Sequence, residues 1–113
     1  MNKQQMNGYY RQAMKMANTL YDYMVETFEK TPCVVYCVSV ERWHNHVSVD
    51  VWVNIGNGFA PYEVKEQVGC ITSGYSFATY TKTKPEDYIN EIKNEANAFF
   101  IKAVEIQDKY NNK

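Results

Sequence analysis

Arginine, histidine, proline and long apolar runs are all scarce in this chain, and each shortage excludes something. Arginine occurs only at Arg11 and Arg42, among twelve basic residues balanced by thirteen acidic ones. The formal net charge of −1 gives no electrostatic grip on phosphate, because non-specific nucleic-acid affinity comes mainly from basic side chains neutralising the backbone. The same neutrality removes an anionic membrane surface as an expected partner. No apolar stretch approaches the ~18 residues that a membrane span needs. The N-terminal MNKQQMNGYYRQAMK lacks the uninterrupted apolar core of a signal peptide. The expectation is an intracellular, cytoplasmic protein. Cys33, Cys37 and Cys70 are an odd number, which suits reduced thiols better than a disulfide framework.

What is present is an ordinary globular composition, 45% hydrophobic and 22% charged over 113 residues. That is enough for one core and too little for two, so residues 1–113 read as a single α+β domain. Lysine and asparagine dominate arginine, which is a habit of AT-rich coding sequence. The ten tyrosines carry more information, since a ring that packs while its hydroxyl stays wet is enriched at interfaces.

The clearest local pattern is HVSVDVWVNI. Val47, Val49, Val51, Val53 and Ile55 fill every second position, as a strand with one buried face requires. With His44-Asn45 as a two-residue hairpin loop, the preceding run CVVYCVSVERW pairs back on it. Trp43 then meets His46, Val40 meets Val49, Val38 meets Val51, Tyr36 meets Val53 and Val34 meets Ile55. The register set by the turn agrees with the one set by hydrophobicity.

Helices flank this hairpin. Met6, Tyr10, Ala13, Ala17, Leu20, Met24 and Phe28 recur every three or four residues, predicting an amphipathic helix over 4–29 that stops at Thr31-Pro32. At the other end, Thr83-x-x-Glu86 has the form of a capping box. It opens a helix whose stripe is Ile89, Ile92, Ala96, Phe99, Ala103, Ile106 and Tyr110. Between hairpin and last helix, residues 61–71 read as a short helix from Val64, Val68 and Ile71, with part of a strand as the alternative, and SGYSFATYTK reads as a third strand.

The resulting fold is α-β-β-(short α)-β-α, with two long, roughly parallel helices packed on one face of a three-stranded antiparallel sheet. Charge favours that direction. The first helix is basic early (Lys3, Arg11, Lys15) and acidic late (Asp22, Glu26, Glu29), and the last helix has the opposite order. Flush and parallel, unlike halves meet.

Two helices on one face leave the other face uncovered. That face displays Cys33, Val35, Cys37, Ser39, Glu41 and Trp43 from one strand and His46, Ser48, Asp50, Trp52 and Asn54 from the next. Trp52, flanked by polar neighbours and near Val35 and Cys37, marks an interaction site, unless the loop at 56–66 folds back to shield it. Tyr9, Tyr21 and Tyr23, off the stripe of the first helix, form a second candidate surface.

Sites for chemistry are thin. His44 and His46 at i, i+2 suggest at most a minor metal site at the turn, without a third ligand. Cys33 and Cys37 are not a Cys-x-x-Cys pair, and Gly56-Asn57-Gly58 lacks the lysine and hydroxyl of a phosphate loop. No cofactor is expected and no catalytic constellation emerges.

The order helix, three strands, helix is similar to that of double-stranded RNA-binding domains. That resemblance implies lysines at the start of the last helix against phosphates. Lys82 and Lys84 stand there, followed by Glu86, Asp87, Glu91 and Glu95, which repel phosphate. The expectation from sequence is therefore a non-enzymatic protein–protein interaction module. Its partner is another protein or a second copy of itself in a homodimer, and its class a small phage or mobile-element accessory or inhibitor protein. Nucleic-acid binding is one alternative, and a homodimeric structural protein with a minor metal site at the His44/His46 turn is the other.

Overall fold

The computed structural model describes residues 2–43, 46–56, 69–76 and 84–111. The order is α1 (Lys3–Thr27), β1 (Val34–Trp43), β2 (His46–Ile55), β3 (Gly69–Ser76) and α2 (Pro85–Asn111). The α+β arrangement expected from the sequence is present, an antiparallel sheet ordered β1-β2-β3 with two helices.

Helix α1 begins with a reciprocal capping box. The Gln5 backbone N–H donates to Asn2 Oδ1 at 2.8 Å, and the Asn2 N–H donates to Gln5 Oε1 at 3.1 Å. Two otherwise unpaired donors are thereby satisfied. The helix ends before the proline, at Thr27, with Phe28 as its cap. Buried Thr31 then folds back, its backbone N–H and hydroxyl both donating to the Phe28 carbonyl at 3.2 and 3.1 Å. Helix α2 starts at Pro85, a residue suited to the first helical position because its missing N–H would be unpaired there anyway. The expected capping residue Thr83 lies outside the described residues, as does the side chain of Tyr110.

The hairpin has the predicted register at all five pairs, from Trp43↔His46 to Val34↔Ile55. The connecting His44 and Asn45 are outside the described residues. β3 starts earlier than the aromatic run suggests. It occupies Gly69–Ser76 and places Ile71 opposite Val53 and Tyr75 opposite Val49. Of residues 61–71, open to helix or strand from the sequence, 69–71 are strand; 61–68 and 77–82 lie outside the described residues.

The core forms between helices and sheet. Val47, Val49, Val51, Val53 and Ile55 of the central strand are at most 1% exposed, each contributing about 1.5–3 kcal/mol through removal from water. Against them pack Met6, Ala13, Met16, Ala17, Leu20 and Met24 of α1 and Tyr88, Ile92, Ala96, Phe99 and Ala103 of α2.

The helices run in the same direction, because their contacts ascend together. The Tyr23 hydroxyl meets Asn97 and its ring lies under Lys93; Phe28 packs on Phe99 and Phe100; Gln107 donates to the Lys30 carbonyl. Partners are 70 to 77 positions apart in sequence, so the helices are staggered and not flush. The first turns of α1 run past the start of α2, and the last turns of α2 overhang the end of α1. This stagger explains a long dimension of 57 Å, more than the ~40 Å that 27 helical residues span. It also overturns the charge argument. At this offset Asp22, Glu26 and Glu29 lie opposite residues 92–106, where Glu95 and Glu105 accompany Lys93 and Lys102, so like and unlike charges mix. Shared apolar burial, not flush charge pairing, sets the direction.

Candidate functional site

Alternation along the strands sends Val35, Cys37, Ser39, Glu41 and Trp43 of β1 to the face away from the helices. His46, Ser48, Asp50, Trp52 and Asn54 of β2 point the same way, as do Cys70, Thr72, Gly74 and Ser76 of β3. No described element covers this outer face. Cross-strand pairing orders it in rungs: Trp43–His46, Glu41–Ser48–Ser76, Ser39–Asp50–Gly74, Cys37–Trp52–Thr72 and Val35–Asn54–Cys70.

The rungs divide into two zones. The apolar zone is Val35, Cys37 and Trp52, with Val35 46% and Trp52 41% exposed. The expected neighbourhood of Trp52 is therefore present, directly opposite Cys37. Of the loop at 56–66 that would shield it, only Gly56 falls within the described residues. Asn54 closes this zone with a buried Oδ1 that has no hydrogen-bond partner.

The polar zone is tied together by side chains. Trp43, 60% exposed, packs edge-on against the His46 ring at 6.2 Å and donates from Nε1 to Glu41 at 3.3 Å. His46 Nδ1 and Ser76 Oγ are 3.1 Å apart, while Ser48 Oγ donates to Asp50 Oδ2 at 3.4 Å. A serine beside a histidine is half of a nucleophilic apparatus. Here the carboxylate engages Ser48 within β2 and not the imidazole, and the His46–Ser76 contact braces β2 against β3. Asp50 also reaches over Gly74, where an added Cβ would sit 2.8 Å from Oδ1. Among the described residues no group of three or more His, Cys, Asp or Glu is placed to hold a metal. Of the two histidines proposed for a metal at the turn, His44 lies outside the described residues.

Three expectations need correction. Cys33 does not share the outer face: it precedes β1, is fully buried, and its Sγ lies 3.9 Å from both the Ala103 carbonyl and Gln107 Oε1. Burial there pushes its thiol pKa up. Tyr23 is engaged between the helices and Tyr9 packs against the core, so each is half-buried and only partly open. Tyr21 is 49% exposed, with its ring centre 6.0 Å from that of Tyr36.

Sequence reasoning missed two features. The β3 contribution was hidden because the strand was placed too late; the alternation of Ile71, Ser73 and Tyr75 was the available signal. The other is a second apolar stripe on α1, Met14, Tyr21 and Val25, respectively 39%, 49% and 42% exposed. Their i, i+7, i+11 spacing is legible without a structure.

Fold and face together define a small α+β domain whose outer sheet face is covered by none of the described elements, although Ser48 on that face is buried. Comparison with known proteins finds no matching family model, curated protein or solved structure. Among the described residues no helix is long and apolar enough to cross a membrane.

Proposed function

We propose that this chain is a non-enzymatic protein-interaction module whose working surface is the outer sheet face around Trp52. The observation that supports it is a half-exposed tryptophan beside Val35 and Cys37, ringed by Ser39, Asp50, Thr72 and Asn54. An apolar centre with a polar rim is the composition of a recognition patch, and tryptophan is the residue type most enriched among binding hot spots. An accessory or inhibitor role, of the kind phage and mobile elements encode, and action in the cytoplasm belong to the same proposal. The nucleic-acid alternative is weakened by the acidic groups on the face, since base-stacking surfaces surround their aromatics with lysine and arginine.

The test compares immobilised wild type with Trp52→Ser, both shown folded by circular dichroism, against extract of the source cells. A protein retained by wild type and lost from the variant is the expected result. Identical sets retained by both would sink the assignment to this face. Binding of labelled RNA that weakens steeply with salt would favour the nucleic-acid alternative.

A further inference from the structure

The two edges of the sheet carry unlike protection, and the β1 edge is the unprotected one. β1 is ten residues long, and its first seven, Val34–Val40, contain no charge, proline or glycine. Long, apolar, unguarded edges are what soluble proteins avoid, because a row of unpaired N–H and C=O groups templates another strand. The hydrogen bonding shows which groups those are. The Gly56 N–H donates to the Cys33 carbonyl at 3.2 Å, so odd-numbered residues of β1 face β2. Backbone groups of Tyr36, Val38, Val40 and Arg42 therefore point outward, and among the described residues no strand receives them.

The same edge has an incomplete roof. Tyr36, Val38 and Val40 are only partly buried against the core. Above them α1 turns Met14, Tyr21 and Val25 away from α2 and toward the edge, as the Tyr21–Tyr36 ring contact shows. Strand edge and helix stripe make one continuous apolar surface.

We infer that this surface is the seam of a two-fold homodimer, in which two copies of β1 pair antiparallel about Cys37 into a six-stranded sheet. The self-complementarity of the sequence selects a second copy over a foreign strand. About Cys37, Tyr36 meets Val38 of the second copy and Val34 meets its Val40, so every inner-face rung is apolar. Cys37 faces Cys37 in a pair that makes no hydrogen bonds across the seam, consistent with its backbone groups facing β2.

Helix spacing agrees. α1 rests against both β1 and β2, and with strands ~4.8 Å apart the two α1 axes would lie about 9–10 Å apart, within the usual packing distance for helices. Charge agrees as well. The basic half of α1 (Lys3, Arg11, Lys15) would run antiparallel to the acidic half (Asp22, Glu26, Glu29) of the second copy. This is the pairing that the α1–α2 stagger does not supply.

The inference is independent of the Trp52 reading, because Tyr21 and Val38 lie on the helix side of the sheet. The test is solution mass by light scattering for wild type, Tyr21→Glu and Val38→Pro. Proline at 38 removes an outward N–H while leaving the β1–β2 ladder intact, and Tyr21→Glu sets two acids near the axis on a surface that tolerates charge. Wild type is expected at twice the 13.2 kDa chain mass, and both variants at the chain mass with unchanged circular dichroism. If Val38→Pro fails to fold, Tyr21→Glu alone decides.

Registration is read in a Cys70→Ser background. There diamide removes one hydrogen from each of two Cys37 thiols, is itself reduced to the hydrazine, and leaves one S–S bond between copies. A covalent dimer is expected, abolished by adding Cys37→Ser. A wild-type monomer at all concentrations, a dimer indifferent to Tyr21→Glu, or no Cys37 cross-link in the dimer would each overturn the inference. The first of these outcomes would leave the edge to a foreign strand.

Discussion

The two edge strands of this sheet have the same central partner and opposite characters. β3 is eight residues long, carries glycine at 69 and 74 and hydroxyls at 72, 73 and 76, and borders Glu95 and Lys102 of α2 across a groove of about 390 Å³. Shortness, glycine and nearby charge all discourage strand addition. β1 is longer, rich in valine, and roofed by a helix with a bare apolar stripe. The difference teaches that the edges are under different demands: one is guarded against pairing, while the other has the makings of a seam. The outer face connects them, and on the dimer inference its Trp52 patch is doubled across one continuous surface.

The largest effect is expected where both edges depend on one element. Leu20 is fully buried between helix and sheet, and Leu20→Ala should cost about 2–5 kcal/mol from lost transfer and the residual cavity. Chemical denaturation would show it, and a smaller loss would mean that the core closes over the gap. Next is a change confined to the guarded edge. Gly69 opens β3 with φ of 147°, which other residues adopt only with strain, so Gly69→Ala should cost about 1–3 kcal/mol. Its Cβ would meet only Phe99, at an ordinary 3.9 Å, so the penalty is conformational and not steric. Solution mass should be unaffected, because β3 is not the seam; loss of the dimer in this variant would blur the comparison.

The smallest effect is a pH dependence beside β3. Tyr88 is buried against Tyr75, ring centres 5.0 Å apart, and its hydroxyl has no partner at hydrogen-bonding distance. Burial raises its pKa above the ordinary phenol value of 10.0, partly offset by the nearby Ser73 hydroxyl. A raised acid binds its proton more tightly in the folded state. The associated stability is thus fully present below pH 10 and lost as pH climbs through the higher folded value. Tyr88→Phe should therefore flatten the alkaline decline in melting temperature, while changing neutral-pH stability by about 1 kcal/mol or less. An unchanged alkaline slope would place the titration elsewhere.

Much of this was legible in the residues. The hairpin register followed from strict alternation plus a two-residue turn, since a slip by one position would drive five branched side chains into water. Both helices followed from three-and-four spacing. β3 was harder, because glycines and hydroxyls dilute its alternation while SGYSFATYTK advertises stronger strand propensity. At the candidate site, Trp52 and Val35 were found by parity alone. Cys33 was misplaced by the same rule, because parity holds only within a strand and the Thr31 turn precedes β1. Tyr23 was mistaken for open surface because a position off the stripe faces solvent only when no second helix lies there.

The sequence by itself determined both long helices, the faces of β1 and β2, and the register of the hairpin, all of which rest on local periodicity and turn chemistry. Only the tertiary structure decided the stagger of the helices, the burial of Cys33, the engagement of Tyr23 and the placement of the second α1 stripe over β1. Those depend on how far one helix slides along another. That distance is fixed by side-chain packing summed over the whole interface, which no short stretch of sequence encodes.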